Sequence, residues 1–107
     1  MHWLPDTAPS GGVMAGYFIA NYKITNQAEY KQYLAAVGPI LQAHGAENIV
    51  IDRDSVLLEG SAGQVSVVLR FATKAAAQAW YESPEYQAIS HLRTDNSEGI
   101  AVIAEGR

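Results

Sequence analysis

Gln64–Phe71 (QVSVVLRF) restricts the fold of this chain more than any other stretch. It is rich in β-branched residues and reads as a strand. Side chains alternate across a strand. One face carries Val65, Val67, Leu69 and Phe71, and the other carries Val68 between Ser66 and Arg70. Gly16–Ile24 (GYFIANYKI) shows the same mixture, with Tyr17, Ile19, Asn21 and Lys23 against Phe18, Ala20, Tyr22 and Ile24. A sheet built from such strands is apolar on both faces and needs a cover on each.

The segments between these strands supply one cover. Asn26 has the character of a helix N-cap, with Glu29 at capping-box spacing. Tyr30, Tyr33, Leu34, Val37, Ile40, Leu41 and His44 then recur at three- and four-residue steps, the inner face of an amphipathic helix. Gly38-Pro39 predicts a kink in it, and Gly45 its end. Glu47–Arg53 and Ser55–Glu59 read as two short extended pieces around a turn near Asp54, with Arg53 as part of a solvated turn. Thr73 caps a second helix through Trp80. In Trp80–Gln87 (WYESPEYQ), Ser83 suits an N-cap, Pro84 a first helical position and Glu85 the positive helix end. The Ser-Pro step therefore ends one helix and starts another, whose inner stripe is Tyr86, Ile89 and Leu92 or Arg93. The rings fill the corner between the two helices; in the rival reading Tyr81 or Tyr86 lines a ligand pocket. Gly99–Glu105 is the last strand.

The order β-α-β-β-α-β, with right-handed crossovers, predicts an α+β, ferredoxin-like sandwich. Its four-stranded antiparallel sheet has the first and third strands in the centre and helices on one face. No segment remains to cover the other face. A second copy of the chain is the expected cover, giving a homodimer through the open sheet face.

The 107 residues suffice for one small domain, read as 14–107, preceded by an aperiodic Pro/Gly/Ser-rich extension over 1–13. Net charge is −4 and the seven basic residues are scattered, so no basic stripe exists to track phosphates and nucleic acid is not an expected partner. The absence of cysteine removes disulfides and thiolate chemistry. His2, His44 and His91 are too dispersed for a metal motif, and neither a phosphate-cradling Gly loop nor a Gly-x-Ser-x-Gly turn occurs. No metal or cofactor is expected. No apolar run reaches the ~18–20 residues that span a bilayer, and no export signal is visible, so the expected location is cytoplasmic and off the membrane.

The candidate catalytic residues are His91, Arg70 and Asn21. Asn21 and Arg70 lie on the two central strands, where an arginine suits a carboxylate or enolate; the alternative is that Arg70 pairs with a carboxylate of its own chain. His91 stands two positions before Arg93, so a proton carrier and an anion holder are close in sequence. His44, at the first helix's C-terminus, suits either the helix dipole or the mouth of a cavity. Tyr17, His44, Phe71, Trp80, Tyr81, Tyr86 and Arg93 are the candidate ligand-binding residues.

GYFIANYKIT, EYKQYLAAVGPILQAHGAENIV, VLLEG, VVLRF and AQAWYESPEYQAISHLR resemble a bacterial family of uncharacterised small proteins, domain-of-unknown-function family 1330, over about Ala15 to Gly106. The resemblance implies membership of the dimeric α/β-barrel superfamily, a ferredoxin-like fold and a face-to-face dimer, with no established activity. More distant members of that superfamily include cofactor-free monooxygenases, haem-degrading monooxygenases and small isomerases or dehydratases. The haem-degrading group is similar at Asn21 and loosely at His91, but its strand-three tryptophan is replaced here by Phe71. Three readings follow: a cofactor-independent monooxygenase, isomerase or lyase acting on a small, partly apolar carbonyl or aromatic metabolite; a binding module without turnover; and a purely structural homodimer.

Overall fold

Every longer helix of this chain begins where a small polar side chain can cap it. Asn26 Oδ1 accepts from the Glu29 amide at 3.2 Å and opens α1 (Gln27–Ala43). Thr73 Oγ1 accepts from the Ala76 amide at 2.9 Å and opens α2 (Lys74–Glu82). Such caps satisfy donors that a helix start leaves orphaned. These elements come from a computed structural model that describes residues 14–107. The proposed extension over 1–13 lies outside the described residues.

At its other end α1 closes on Gly45, whose φ of 70° places it in the left-handed region that glycine enters without a Cβ clash. The Ala46 amide then reaches back to the Leu41 carbonyl at 3.0 Å and the Gly45 amide to Gln42 at 3.1 Å. At Gly38-Pro39, where a kink is expected, α1 continues as helix through Pro39. The carbonyl that loses its partner there belongs to Ala35, which is exposed, so water can take its place.

The strands are β1 (Ala15–Ile24), β2 (Glu47–Asp52), β3 (Val65–Phe71) and β4 (Ser97–Gly106). They form one antiparallel sheet in the order β2-β3-β1-β4, with β1 and β3 central as expected. The sheet is open, with β2 and β4 as its edges, and does not close into a barrel within one chain. β1 pairs with β4 along its whole length, from Ala15 opposite Gly106 to Ile24 opposite Ser97.

Ser55–Glu59 is not extended into the sheet. β2 already holds the place beside β3, so VLLEG has no neighbour to pair with. Residues 53–64 instead form an arm. Its root is tied by the Ser55 amide to the Gln64 carbonyl at 3.0 Å and by Ser55 Oγ to Ser66 Oγ at 2.7 Å. Gly63, at a φ of 93°, donates its amide to Asn21 Oδ1 at 2.8 Å. At the arm's tip Val56 and Leu58 are 84 % and 87 % exposed.

The corner at Ser83 forms as the sequence predicts. Ser83 Oγ donates to the Trp80 carbonyl at 2.7 Å, closing α2, and accepts from the Tyr86 amide at 3.2 Å, opening α3 (Pro84–Gln87). A turn leads to α4 (His91–Thr94). One side chain thus serves two helix ends, and the chain folds back on itself. Trp80 and Tyr86 meet with ring centroids 4.3 Å apart, while Phe71 stacks on Trp80 at 5.3 Å. These three are the largest fully buried side chains and lead a core completed by Phe18, Tyr22, Tyr30, Tyr33, Val37, Val65 and Leu69. The Trp80 Nε1 donor has no partner among the described residues.

Candidate functional site

The alternation read from β1 and β3 is the one the structure adopts. Phe18, Tyr22, Val65, Leu69 and Phe71 lie under the helices; Ile19, Asn21, Ser66, Val68 and Arg70 face the uncovered side. This divides the candidate residues into two groups.

On the open face, Val50, Val68, Ile19 and Val102 stand opposite one another in a row across all four strands. Beside that row, Asn21 is opposite Ser66 and Ile100. Asn21 Nδ2 donates to the Val65 carbonyl at 3.2 Å and Ser66 Oγ at 3.0 Å, so with Gly63 both ends of its amide are engaged. On the other side of the row, Tyr17 is opposite Arg70 and Arg70 opposite Glu47. Arg70 Nη1 meets Glu47 Oε1 at 3.0 Å, the own-chain pairing weighed for it. Tyr17 first, then Glu47, hold the Arg70 guanidinium above its ordinary pKa. The Tyr17 hydroxyl also donates to the Arg107 carbonyl.

His44 Nε2 lies 3.5 Å from Glu85 Oε2, linking the end of α1 to α3. His91 is exposed on α4. Phe71 and Trp80 are core residues, and Tyr81 packs over Trp80 and Tyr86 at 5.8 and 5.2 Å.

Tyr86 and Arg93 belong to a different arrangement. Arg93 lies on α4, the second short helix after the Ser83 corner, and is only 6 % exposed. Its Nε donates to the Tyr86 hydroxyl at 3.3 Å, and that hydroxyl is 2.9 Å from the Tyr33 hydroxyl. Its guanidinium carbon sits 5.9 Å from the ring centres of both Phe18 and Tyr22. Burial works against its charge, but the facing Tyr86, Tyr33 and Tyr81 oxygens outweigh that and hold its pKa above the ordinary value. Arginine stays charged throughout the accessible pH range. Burial above all raises the Tyr22 and Tyr33 phenols, with hydrogen bonds to Tyr30 and Tyr86 adding to the effect, so both remain neutral donors.

Arg93 lines a pocket of about 290 Å³ toward β4, with Tyr22, Tyr81 and Ser97, and also one of about 70 Å³ between α1 and the sheet. Val37 and Leu41 roof the smaller one, Val67 and Leu69 floor it, and Asn48 and Arg53 stand among its lining residues. Neither Arg70 nor His91 lines this pocket. The sequence reading missed Asn48 and Arg53. Asn48 is opposite Leu69 on the helix side although Val50, two residues on, faces the open side; a register shift between them breaks the alternation, and nothing in the sequence marks it. Arg53 is the central residue of an Asx turn, in which the Asp54 amide donates to Asp52 Oδ1 at 2.8 Å, and nothing in the sequence shows which way its side chain leads.

Among the described residues no group of three or more acidic or histidine side chains could hold a metal ion, and no helix is long and apolar enough to cross a membrane.

Several crystal structures share this fold. A protein of unknown function from Rhodopseudomonas palustris aligns with a TM-score of 0.67 at 12% identity, over 88% of this chain and 83% of its own. A dimeric ferredoxin-like protein of unknown function from Thermobifida fusca aligns at 0.63 and 16% identity, over 97% and 99%. SnoaB, a cofactor-independent oxygenase from Streptomyces nogalater, aligns at 0.62 and 11% identity, over 89% and 95%. At these identities the likeness is one of fold. No curated protein matches the chain. A family model, in contrast, matches residues 15–107, and the chain belongs to that family, described as a domain of unknown function, DUF1330.

Proposed function

We propose that this chain acts as a homodimer that binds a small, partly apolar, carbonyl-bearing metabolite in the pocket beneath α1. The observation that carries the reading is the pocket itself, with aliphatic walls around a buried guanidinium. Small-molecule sites have that composition: mostly apolar, with a few convergent polar groups. The dimer rests on the row Val50, Val68, Ile19 and Val102, of which Val50, Ile19 and Val102 are exposed. Contiguous apolar surface of this kind marks an association face. Similar folds from Thermobifida fusca and Bacteroides fragilis are dimeric. In such a dimer Tyr17, Asn21 and Arg70 sit at the interface, with Asn21 and Arg70 already bonded within their own chain.

A second reading, a cofactor-independent monooxygenase, isomerase or lyase, draws on the same donors. Arg93 and the Tyr33 hydroxyl, both in the pocket lining, would stabilise charge developing on a carbonyl oxygen, with Tyr86 positioning them. His91, two residues before Arg93, is then the candidate proton acceptor.

Native mass spectrometry of the full chain tests the dimer. The wild type should fly as a dimer, and Ile19→Asp, which sets two carboxylates into the interface, should fly as a monomer. A monomeric wild type breaks this part of the reading. Thermal shift with short ketones, aldehydes and carboxylic acids tests the pocket. Val37→Phe, which fills it, should abolish any shift; an unchanged shift would place the ligand elsewhere.

A further inference from the structure

Buried cations in proteins are normally paired, because removing a charge from water costs several kcal/mol. Arg93 is an exception. It forms none of the ion pairs seen among the described residues, which are Lys23–Glu98, His44–Glu85 and Arg70–Glu47. Its side-chain hydrogen bond goes to the Tyr86 hydroxyl, through Nε, and the guanidinium also faces the rings of Phe18 and Tyr22 and the oxygens of Tyr33 and Tyr81, none of them a carboxylate. Ring faces attract a cation but neutralise nothing. The guanidinium therefore keeps its terminal donors, a fork shaped for a carboxylate, and Arg93 lines the pocket beneath α1.

The size of the pocket limits what can follow that anion inside. An apolar cavity of ~150 Å³ takes benzene. About 70 Å³ therefore suits a shorter, aliphatic group. Of the two lining arginines Arg53 is exposed and screened by solvent, so the one buried positive charge, Arg93, matches one negative charge. A phosphate ester would bring nearly two, and its larger head would have to share a space walled by Val37, Leu41, Val67 and Leu69.

From this unpaired cation and this small apolar chamber we infer that the ligand is a short-chain aliphatic monocarboxylate. Its carboxylate sits on Arg93 and its carbon chain points along α1 toward Leu34 and Leu41. The inference rests on the proposed pocket and adds the chemical class of its occupant.

Propionate and propionamide separate the two claims, since they differ in charge and hardly in shape. The full-length wild type, labelled with nitrogen-15, is titrated with each at fixed ionic strength while the Arg93 Nε–H resonance is followed. Propionate should bind at least ~10-fold tighter than propionamide, about 1.4 kcal/mol. Arg93→Gln should erase the difference, and Val37→Phe should abolish binding of both. The wild-type comparison decides the charge question even if Arg93→Gln fails to fold. Equal affinity of acid and amide, both lost in Val37→Phe, would leave the pocket standing and overturn the carboxylate. Propionate binding that survives Val37→Phe but not Arg93→Gln would put the anion on the β4 side of Arg93 and overturn the placement. No response to either compound would overturn both the pocket and its occupant.

Discussion

One residue along each central strand separates two chemically different surfaces. Toward the helices, Phe18, Tyr22, Leu69 and Phe71 are buried beneath aromatic rings. Toward the other side, Ile19, Val68 and Arg70 stand in rows with little over them. Both faces are mostly apolar, yet the polar pairs of the covered one are buried: Tyr33 with Tyr86, Tyr22 with Tyr30, and Arg93 with Tyr86. The open face settles its polar groups with near neighbours, Asn21 with Ser66 and Arg70 with Glu47. A buried hydroxyl or guanidinium has to be matched or it costs stability, so it fixes one geometry. Aliphatic rows impose no such match and suit association. The covered face thus has the specificity that a small ligand needs, and the open face has the tolerance that a second copy needs.

The largest effect that would test this contrast is Trp80→Ala. Trp80 is fully buried among Phe71, Phe18 and Tyr86, so its loss should lower unfolding stability by ~3–5 kcal/mol in urea titration. A cost below ~1 kcal/mol would mean that the covered face is loosely packed. Ile19→Asp, by comparison, should act on association.

Alkaline titration is the next in size. Tyr22 and Tyr33 have phenol pKa values raised above 10.0, by burial first and then by their tyrosine partners. The unfolded chain releases these protons above pH 10 and the folded chain keeps them. Stability is therefore complete below pH 10 and falls as pH climbs beyond it, by up to about 1.4 kcal/mol per pH unit for each phenol. Tyr33→Phe should flatten the slope. An equally steep slope in that variant would show that Tyr33 is not among the groups responsible.

Asn21→Ala is the most local in its effect. It frees the Gly63 amide and the root of the arm, with an expected loss of ~1–3 kcal/mol. Hydrogen exchange at Gly63 should accelerate while exchange in β4 stays slow. Unchanged protection at Gly63 would mean the arm is held by Ser55 and Gln64 alone.

Reading the sequence reached those parts of the fold that local chemistry dictates. Ser83 and Pro84 announce a helix junction because capping and a fixed proline φ act over three or four residues. The two-faced character of β1 and β3 was legible from alternation. VLLEG misled because its composition suits a strand, while its fate depends on whether a place in the sheet is free, and β2 had taken it. The pocket was half legible. Tyr86 and Arg93 stood out within one motif, but Tyr22 and Tyr33, which complete their surroundings, come from β1 and α1. No periodicity connects residues that far apart. The pairing of Asn21 and Arg70 with His91 failed to form a single site because strand parity sends the first two to one side of the sheet, while α4 lies on the other.

The pairing of Ala15 with Gly106 has a consequence for how the protein is made. β1 leaves the ribosome well before β4. At ~5–20 residues per second, a nascent β1 waits several seconds for this neighbour. During that interval β3 can dock on one edge of β1, and the other edge remains an unpaired template. The late strand therefore both completes the sheet and ends its exposure to other chains on the same polysome.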